Sequence, residues 1–266
     1  MSYLSGSHPI LSCAEAAQFE RAWLKGDEAR EWVAMSQAGS ALGRRLSRDL
    51  AIACGARLEA PRALVLVGKG HNGGDAMLAA AELLRINPAW RIEVGFVYGQ
   101  NRLRPLAATA WRTLFTLGGT AQVTAVQLAH VQGDYTVILD GVFGFQYRPP
   151  LPEAADRWIQ ATRRVGAKLK AAVDLPTGWD APSGFEADVT YATGILKSPL
   201  LDLPAAGRLR YLDLDFSMGD HESTQRVLTL AVLDPLRKLR PFRSDKRNYG
   251  HLAVVGGSRS YPGAVA

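Results

Sequence analysis

The sequence predicts an α/β fold: a Rossmann-like, doubly wound and mainly parallel sheet with helices on both faces, in three layers. Short apolar runs alternate with longer amphipathic stretches along most of the 266 residues, a pattern typical of βαβ units. Residues 68–76, GKGHNGGDA, join one apolar run to a helical pattern and place Gly68, Gly70 and Gly73 in G-x-G-x-x-G spacing, the turn of the dinucleotide fingerprint. The chain is 47% hydrophobic and 21% charged, as expected for a globular protein.

The individual elements follow from periodicity and from helix-ending residues. Residues 12–48 alternate apolar and charged positions at helical spacing, which predicts two helices with a break near Gly26 and Asp27, the first opened by a capping box of Ser12 and Glu15. Further helices are predicted at 75–85, 106–119 and 152–166, the second of them stopped by two glycines. Strands are predicted at 63–67, 91–99, 121–126, 135–144, 168–178, 187–196 and 207–216.

Domain organisation is read from the end of this alternation. We expect one domain over residues 1–220, a linker over 221–240 and the beginning of a second domain over 241–266. Residues 237–247 hold six basic residues and one acid, and contribute much of the formal net charge of +6. This segment lacks the interleaved aromatic residues of RNA-binding surfaces, so nucleic acid is not an expected partner.

Localisation is predicted from features the sequence lacks. No apolar run approaches the length of a membrane span, and residues 1–12 do not resemble a signal peptide. The two cysteines, Cys13 and Cys54, have no metal-ligand spacing and are expected to be reduced thiols. A cytoplasmic protein with no membrane partner is therefore expected.

Polar residues follow three of the predicted strands at their carboxyl ends. Asn72 and Asp75 come after the first strand of the domain, Asp140 ends a later one, and Asp174 and Thr177 follow the next. Ligands bind at this edge of an open parallel sheet. Each residue also has a purely structural interpretation: Asp75 could cap the helix predicted to begin there, and the others could be turn residues.

Three carboxylates at one edge require a compensating charge, because each raises the pKa of the others. One solution is a cation. Oxygen ligands without His or Cys favour K⁺, Na⁺, Mg²⁺ or Ca²⁺ over zinc. The other solution is a proton held on one carboxyl, which suits it to acid–base catalysis. An ordinary NAD dehydrogenase is disfavoured, since the second strand ends FVYGQN without the acid that binds the ribose.

Four ordered motifs resemble the YjeF N-terminal domain family. GKGHNGGDA is similar to the family's NNGGD loop, LDGVFGF to its D-A-x-F-G segment and AVDLPTGWDAPSG to its V-D-x-P-S-G segment, while ADVTYATGILK resembles the stretch that follows and ends at Lys197. With LSCAEAAQFE near the N-terminus, the resemblance spans roughly residues 9–216. The tail, KRNYGHLAVVGGSRSYPGA, resembles the opening of the ADP- or ATP-dependent NAD(P)H-hydrate dehydratase domain.

The resemblance implies a cofactor-repair epimerase that interconverts the R and S forms of NADHX or NADPHX, the hydrated nicotinamide cofactors. It implies Asp174 as the catalytic acid–base and one K⁺ held by Asn72, Asp140 and Thr177. The implied substrate-binding residues are His71, Asn72, Gly73, Gly74, Asp75, Gly144, Phe145, Gln146, Tyr147, Arg148, Asp174 and, in the second domain, Ala264. ADP or ATP would serve the dehydratase, and a homo-oligomer is compatible with the helical N-terminus.

Departures from the family pattern keep a second function open. His71 replaces Asn, Ser36 and Gln37 replace Glu and Asn, and the loop after Asp140 carries Arg148-Pro149-Pro150. The alternative is a weakened or non-catalytic module that binds nucleotide or supports an attached dehydratase. Preference between NADHX and NADPHX does not follow from these residues.

Overall fold

A seven-stranded parallel sheet forms the centre of the protein, in a computed structural model that describes residues 6–55, 58–216, 223–234 and 236. The strands are Arg62–Val67 (β2), Arg91–Phe96 (β3), Val123–Ala125 (β4), Asp134–Gly141 (β5), Gly166–Val173 (β6), Val189–Thr193 (β7) and Arg208–Leu212 (β8). Their spatial order is β4-β3-β2-β5-β6-β7-β8, and each neighbouring pair is parallel. A separate two-stranded sheet contains Ser7–Pro9 (β1) and Arg226–Leu228 (β9).

Helices cover both faces of the large sheet, which confirms the predicted three-layer architecture. Glu28–Cys54 (α2), His71–Ile86 (α3) and Pro105–Gln122 (α4) share one apolar core with the sheet, built on side chains such as Leu46, Met77 and Leu114. Glu153–Arg163 (α5) packs on the other face through Trp158 and Ile159. Strands buried on both faces explain why their sequences are continuous apolar runs.

The N-terminal helix, Cys13–Leu24 (α1), begins as the sequence predicts. The hydroxyl of Ser12 accepts from the N–H of Glu15, and the Glu15 carboxylate accepts from the N–H of Ser12. A third apolar cluster, which includes Ala16, Leu175 and Ile195, joins α1 to the loops at the carboxyl end of the sheet. This packing positions α1 beside the edge where the candidate site lies.

Helix boundaries elsewhere follow local chemistry. Asp27 caps α2 by accepting from the N–H groups of Ala29 and Arg30. Within α4, Gly119 has φ 58°, so regular helical geometry ends there although hydrogen bonding continues to Gln122. The predicted stop at the paired glycines is therefore seen as a break inside the helix.

The chain divides into two compact units, one comprising His8–Val227 and the other Met1–Ser7 with Leu228–Ala266. The larger unit contains the whole seven-stranded sheet. Residues 237–266, with the predicted start of a second domain and Ala264, lie outside the described residues. Within the described part of the chain, no helix combines the length and apolar character needed to cross a bilayer.

Candidate active site

A cavity of about 530 Å³ opens at the carboxyl end of the sheet. After β2 the chain adds β3 and β4 on one side of β2. It then crosses back and adds β5, β6, β7 and β8 on the other side. This reversal is a topological switch point, the usual place for a ligand in an open α/β sheet. Loops after β2, β5 and β7, together with helices α1 and α2, supply the walls.

The glycine loop brings α3 close against the sheet. A Cβ on Gly68 would lie 1.9 Å from the carbonyl oxygen of Val142, and one on Gly73 would lie 2.6 Å from that of Gly68. Gly74 faces the sulfur of Met35, 2.5 Å from where its Cβ would stand. Close packing against backbone, rather than positive φ, therefore requires Gly68 and Gly73, whereas the flexible Met35 side chain could move away from a Cβ on Gly74. Gly73 and Gly74 lie outside the cavity lining, whereas their neighbours Asn72 and Asp75 belong to it.

The structural interpretation of Asp75 is wrong in one respect: Asp75 does not cap α3. The helix begins at His71, its N-cap is Gly70, and no side chain makes a capping hydrogen bond there. Asp75 lies one turn inside the helix. It neither begins the helix nor fixes the loop by a cap, which leaves its carboxyl available to the cavity.

Asp75 carries an unusual carboxyl group. Its Oδ1 is buried and has no hydrogen-bond partner in the described part of the chain. Burial raises the pKa of Asp75 well above its ordinary value, the carboxylates of Asp174 and Glu20 add to the increase, and the ammonium of Lys197 opposes it. These surroundings favour the protonated form of Asp75 over the charged form, because burial penalises the charge.

Asp174 sits at the centre of the polar cavity wall with both carboxylate oxygens engaged. Oδ1 pairs with the ammonium of Lys197, and Oδ2 accepts from the N–H of Phe145 at 2.9 Å. The side chains of Lys197 and Asp174 are 1% and 6% exposed, and the ammonium also lies 4.9 Å from the centre of the Phe145 ring. Asp174 has φ 67°, a conformation that Asp and Asn tolerate better than most residues.

Asp140 and Thr177 do not line the cavity but bond to each other directly in the loops that carry its wall. The carboxylate of Asp140 accepts from the N–H of Thr177 at 2.7 Å, from its hydroxyl at 2.8 Å and from the N–H of Val142 at 3.1 Å. Thr177 in turn accepts from the N–H of Phe143 at 3.1 Å. Burial raises the pKa of Asp140 to about 6, opposed by these hydrogen bonds. Both residues are fully buried and join the two loops that carry the cavity wall.

The loop after β5 supplies the cavity residues expected there. Gly144, Phe145, Gln146, Tyr147 and Arg148 all line the cavity. Phe143 stacks on Tyr147 with ring centres 5.3 Å apart, and the Arg148 guanidinium donates to the Tyr147 carbonyl at 2.8 Å. A Cβ on Gly144 would lie 2.8 Å from Oδ2 of Asp174 and 3.1 Å from Oδ1 of Asn72. The absence of a side chain at this position keeps both groups accessible.

His71 lines the cavity but points part of its ring toward α2. Its Nε2 lies 3.4 Å from the carboxylate of Glu31, and nearly half of the side chain is exposed. Asn72 presents a buried amide nitrogen that has no hydrogen-bond partner among the described residues. Both residues therefore offer polar groups to a ligand.

Sequence reasoning missed several residues of the cavity. Lys197, named only as the end of a similar stretch, supplies the positive charge that pairs with Asp174. Lys69 and Arg104 stand on the wall nearest β3. Glu20 enters the cavity from α1. These four residues come together only in the folded structure, because they lie on four separate segments of the chain.

A backbone bridge ties the start of the chain to the segment bearing Lys197. The N–H of Leu11 donates to the carbonyl of Leu196, and the N–H of Ser198 donates to the carbonyl of Leu11, at 3.0 and 2.8 Å. These bonds flank Lys197 on both sides. The approach to α1 and the position of the lysine are thus set together.

Comparison with known proteins decides the family. The family model described as YjeF-related protein N-terminus matches residues 33–198. The chain belongs to this family. A bifunctional NAD(P)H-hydrate repair enzyme, Nnr, of Gloeobacter violaceus is 31% identical over 223 residues, which are 77% of this chain and 42% of that protein. An NAD(P)H-hydrate epimerase of Clavibacter michiganensis is 31% identical over 199 residues, 68% of this chain and 85% of that protein.

The segment that this chain matches thus spans less than half the length of the bifunctional Gloeobacter relative. The fold of the family is also seen in the crystal structure of the yeast protein YNL200c, which aligns with a TM-score of 0.56 and 19% identity over 70% of this chain and 80% of the yeast one. That likeness supports the three-layer architecture described above.

Proposed function

We propose that the unit His8–Val227 is an NAD(P)H-hydrate epimerase, which interconverts the R and S forms of NADHX and NADPHX. The observation that carries this proposal is the buried ion pair of Asp174 and Lys197 in the wall of the switch-point cavity. The same wall holds buried polar atoms of Asn72 and Asp75 that have no hydrogen-bond partner among the described residues. The names of the Gloeobacter and Clavibacter relatives support the same activity.

The reaction inverts one carbon of the hydrated nicotinamide ring, C6, which carries a hydroxyl and is bonded to the ring nitrogen. When the C6–O bond breaks, the oxygen keeps the bonding pair and the nitrogen lone pair forms a C=N bond, giving a cationic iminium. Addition of water to the other face of C6 completes the inversion. Such a path needs an anion near C6 and groups that move protons to and from oxygen.

Asp174 fits the first requirement, because Lys197 and the Phe145 N–H hold its carboxylate in one orientation beside Gly144. In that position it stabilises the cationic ring and takes a proton from the water that adds. Asp174 is also buried, so its carboxylate has little contact with solvent. Preorganised charge of this kind accounts for a large part of the rate enhancement in many enzymes.

The dinucleotide portion of the substrate needs a cationic surface. Lys69 and Arg104 line the cavity on the side of β3, and Arg148 lines it beside the loop after β5. Lys69 lies 4.5 Å over the Tyr98 ring, and its carbonyl accepts from the N–H of Arg104 at 2.8 Å. Guanidinium and ammonium groups suit the phosphates of NADHX, and the additional phosphate of NADPHX.

The proposed K⁺ has a chemically suitable donor set in Asn72, Asp140 and Thr177. All the ligand atoms would be oxygens. Asp140 is fully buried and accepts hydrogen bonds, but among the described residues no cationic side chain bonds to it. Asn72 approaches two glycines of the neighbouring loop, its backbone oxygen 2.9 Å from a Cβ position on Gly141 and its Oδ1 3.1 Å from that on Gly144. A monovalent cation held there would offset the charge of Asp140 and fix the loop that faces the substrate.

We further propose that residues 241–266 begin a dehydratase domain that uses ADP or ATP, with 221–240 as linker. The bifunctional relatives support this organisation, because each is about twice as long as the segment that this chain matches. The epimerase would then convert the R form for use by the attached domain.

The test uses a mixture of R and S NADHX and a dehydratase that accepts only the S form. Once the S form is exhausted, the protein is added with K⁺, and NADH absorbance is followed. We expect rapid conversion of the remaining R form, abolished by Asp174→Asn. The Asn variant is suitable because Asn also tolerates the left-handed backbone of this position. No acceleration over the spontaneous rate by the wild-type protein, with cofactor still bound, would instead support a non-catalytic module.

A further inference from the structure

Glu20 lies on the inward face of helix α1, where a charged residue is not expected. Along α1, Ala16 is buried and Phe19, Glu20 and Trp23 line the cavity, so these positions form one inward face. Acidic residues are rarely placed among apolar neighbours unless they are paired. Glu20 nevertheless makes no hydrogen bond or ion pair with any residue that the structure describes.

The charges around Glu20 come from every element packed on this side of the cavity. Burial raises the pKa of Glu20 to about 7; Lys197 opposes the increase, and Asp174 and Glu31 add to it. The Glu20 carboxylate in turn raises the pKa of Asp75 on α3. The remaining charged groups of the lining are His71, Lys69, Arg104 and Arg148. At neutral pH Glu20 is therefore divided between an acid and a carboxylate.

The cavity thus contains carboxyl groups in two different surroundings. Asp174 has a buried cationic partner, Lys197, and an N–H donor, Phe145. Among the residues that the structure describes, Glu20 and Asp75 have no such partner, and the Oδ1 atom of Asp75 is buried without a hydrogen bond. Carboxyls whose surroundings differ in this way commonly divide the roles of acid and base between them.

We propose that Glu20 is the general acid of the epimerisation, an inference that rests on the proposed function. The Glu20 carboxyl donates its proton to the C6 hydroxyl as the C6–O bond breaks, and water leaves while the nitrogen lone pair forms the C=N bond. Water then adds to the other face of C6 and gives a proton to Asp174. Transfer of that proton through solvent to Glu20 restores the starting state, so that atoms and charge balance over one cycle.

The position of Glu20 on α1 supports this assignment. The capping box of Ser12 and Glu15 fixes the start of the helix, and the backbone bridge through Leu11 fixes it relative to Lys197. Glu20 therefore approaches the cavity from a helix, whereas Asp174 approaches from the sheet edge. Two proton-transferring groups on different walls are what inversion at one carbon requires.

The experiment compares wild-type protein with Glu20→Gln in the coupled NADHX assay between pH 5.5 and about 9, after subtraction of the spontaneous rate. Because the acid must be protonated in the free enzyme, wild-type kcat/KM should fall as pH rises above about 7. We expect Glu20→Gln to lose roughly 10²–10⁴-fold in kcat/KM, the usual contribution of a general acid, and to lose this alkaline decline. Glu20→Asp should restore part of the rate and the decline.

Two further variants separate an acid from a structural role. Glu28→Gln, an exposed residue on α2 outside the cavity, should leave rate and pH profile unchanged. Glu31→Gln should retain the decline but move it to lower pH, because the Glu31 carboxylate raises the pKa of Glu20. Difference infrared spectra of wild type against Glu20→Gln should show a protonated carboxyl at pH 6 that disappears through pH 7.

The outcomes distinguish failure of the role proposed for Glu20 from failure of the proposed epimerase function. An active wild type with a Glu20→Gln variant of unchanged rate and profile overturns the role of Glu20 and leaves the epimerase proposal standing. Absence of the protonated carboxyl band at pH 6 overturns it as well. A wild type that does not accelerate epimerisation refutes the proposed function and, with it, the proton transfer from Glu20.

Discussion

Replacement of Lys197 by methionine would test the energetic weight of the buried ion pair. Methionine preserves much of the length of the side chain, so the main change is loss of the ammonium from a position that is 1% exposed. Asp174 would remain buried, with the Phe145 N–H as its hydrogen-bond donor. Removal of one partner of a buried ion pair typically costs about 3–5 kcal/mol, because the other charge is left uncompensated.

The effect is large enough to measure by two methods. For a domain of this size each kcal/mol corresponds to about 2–4 °C in Tm, which gives a decrease of about 6–20 °C for Lys197→Met. Urea unfolding supplies the free energy directly. The matched control is Lys168→Met, an exposed lysine on β6, which should cost less than about 0.5 kcal/mol.

A double variant, Lys197→Met with Asp174→Asn, completes the cycle. Because it removes both charges, it should be more stable than Lys197→Met alone by at least about 1 kcal/mol, the sign of coupling between contacting residues. The reasoning fails if Lys197→Met unfolds within about 1 kcal/mol of wild type. It fails equally if the losses of the two single variants simply add.

Three other expectations concern the site and its support. Thr177→Val should lower the free energy of unfolding in urea by about 1–3 kcal/mol and weaken any stabilisation by K⁺, since it removes the hydroxyl bonds to Asp140 and Phe143. Thr190→Val, which loses one buried hydroxyl bond elsewhere, should leave the K⁺ response intact. Equal K⁺ responses of the two variants would contradict the assignment of Thr177 as a K⁺ ligand. Arg104→Ala should raise KM more for NADPHX than for NADHX, with Arg102→Ala, outside the cavity, as control; unchanged KM values would exclude a phosphate contact. Asp49 on α2 accepts hydrogen bonds from Arg45, Tyr191 and Arg210. Burial disfavours its charged form, but these hydrogen bonds outweigh that effect and lower its pKa. The resulting stabilisation is present above the unfolded pKa of about 4 and is lost as pH falls through the folded value, so Asp49→Asn should flatten the dependence of Tm on pH between about pH 5 and 3.

The layers of the fold could be predicted because most strands and helices have a recognisable local sequence pattern. Alternation of apolar strands with amphipathic helices gave the parallel sheet, and the Ser12 capping box marked the start of α1. The start of α3 was predicted four residues late, since two adjacent glycines, Gly73 and Gly74, ordinarily weaken a helix. Tertiary packing against Met35 and the Gly68 carbonyl outweighs that tendency.

The site was predictable only where strand ends imply proximity. Asp140, Asp174 and Thr177 follow neighbouring strands, so their meeting at one edge could be inferred. Lys197 and Glu20 could not be placed in this way, because a lysine after a strand and a glutamate on an amphipathic helix normally face solvent. The balance of charge in the cavity depends on those two residues, and it became visible only with the three-dimensional arrangement.

The backbone bridge between Leu11 and the residues flanking Lys197 has a consequence for where this domain functionally begins. The segment shared with the family model starts at residue 33, inside α2. A chain shortened to that point would retain all seven strands of the large sheet. It would lack the bonds on either side of the lysine and the helix that bears Glu20. On the proposed roles of Glu20 and Lys197, the 32 residues removed would include the proton donor and one side of the backbone bridge that holds the lysine, whereas every strand of the large sheet comes later in the chain.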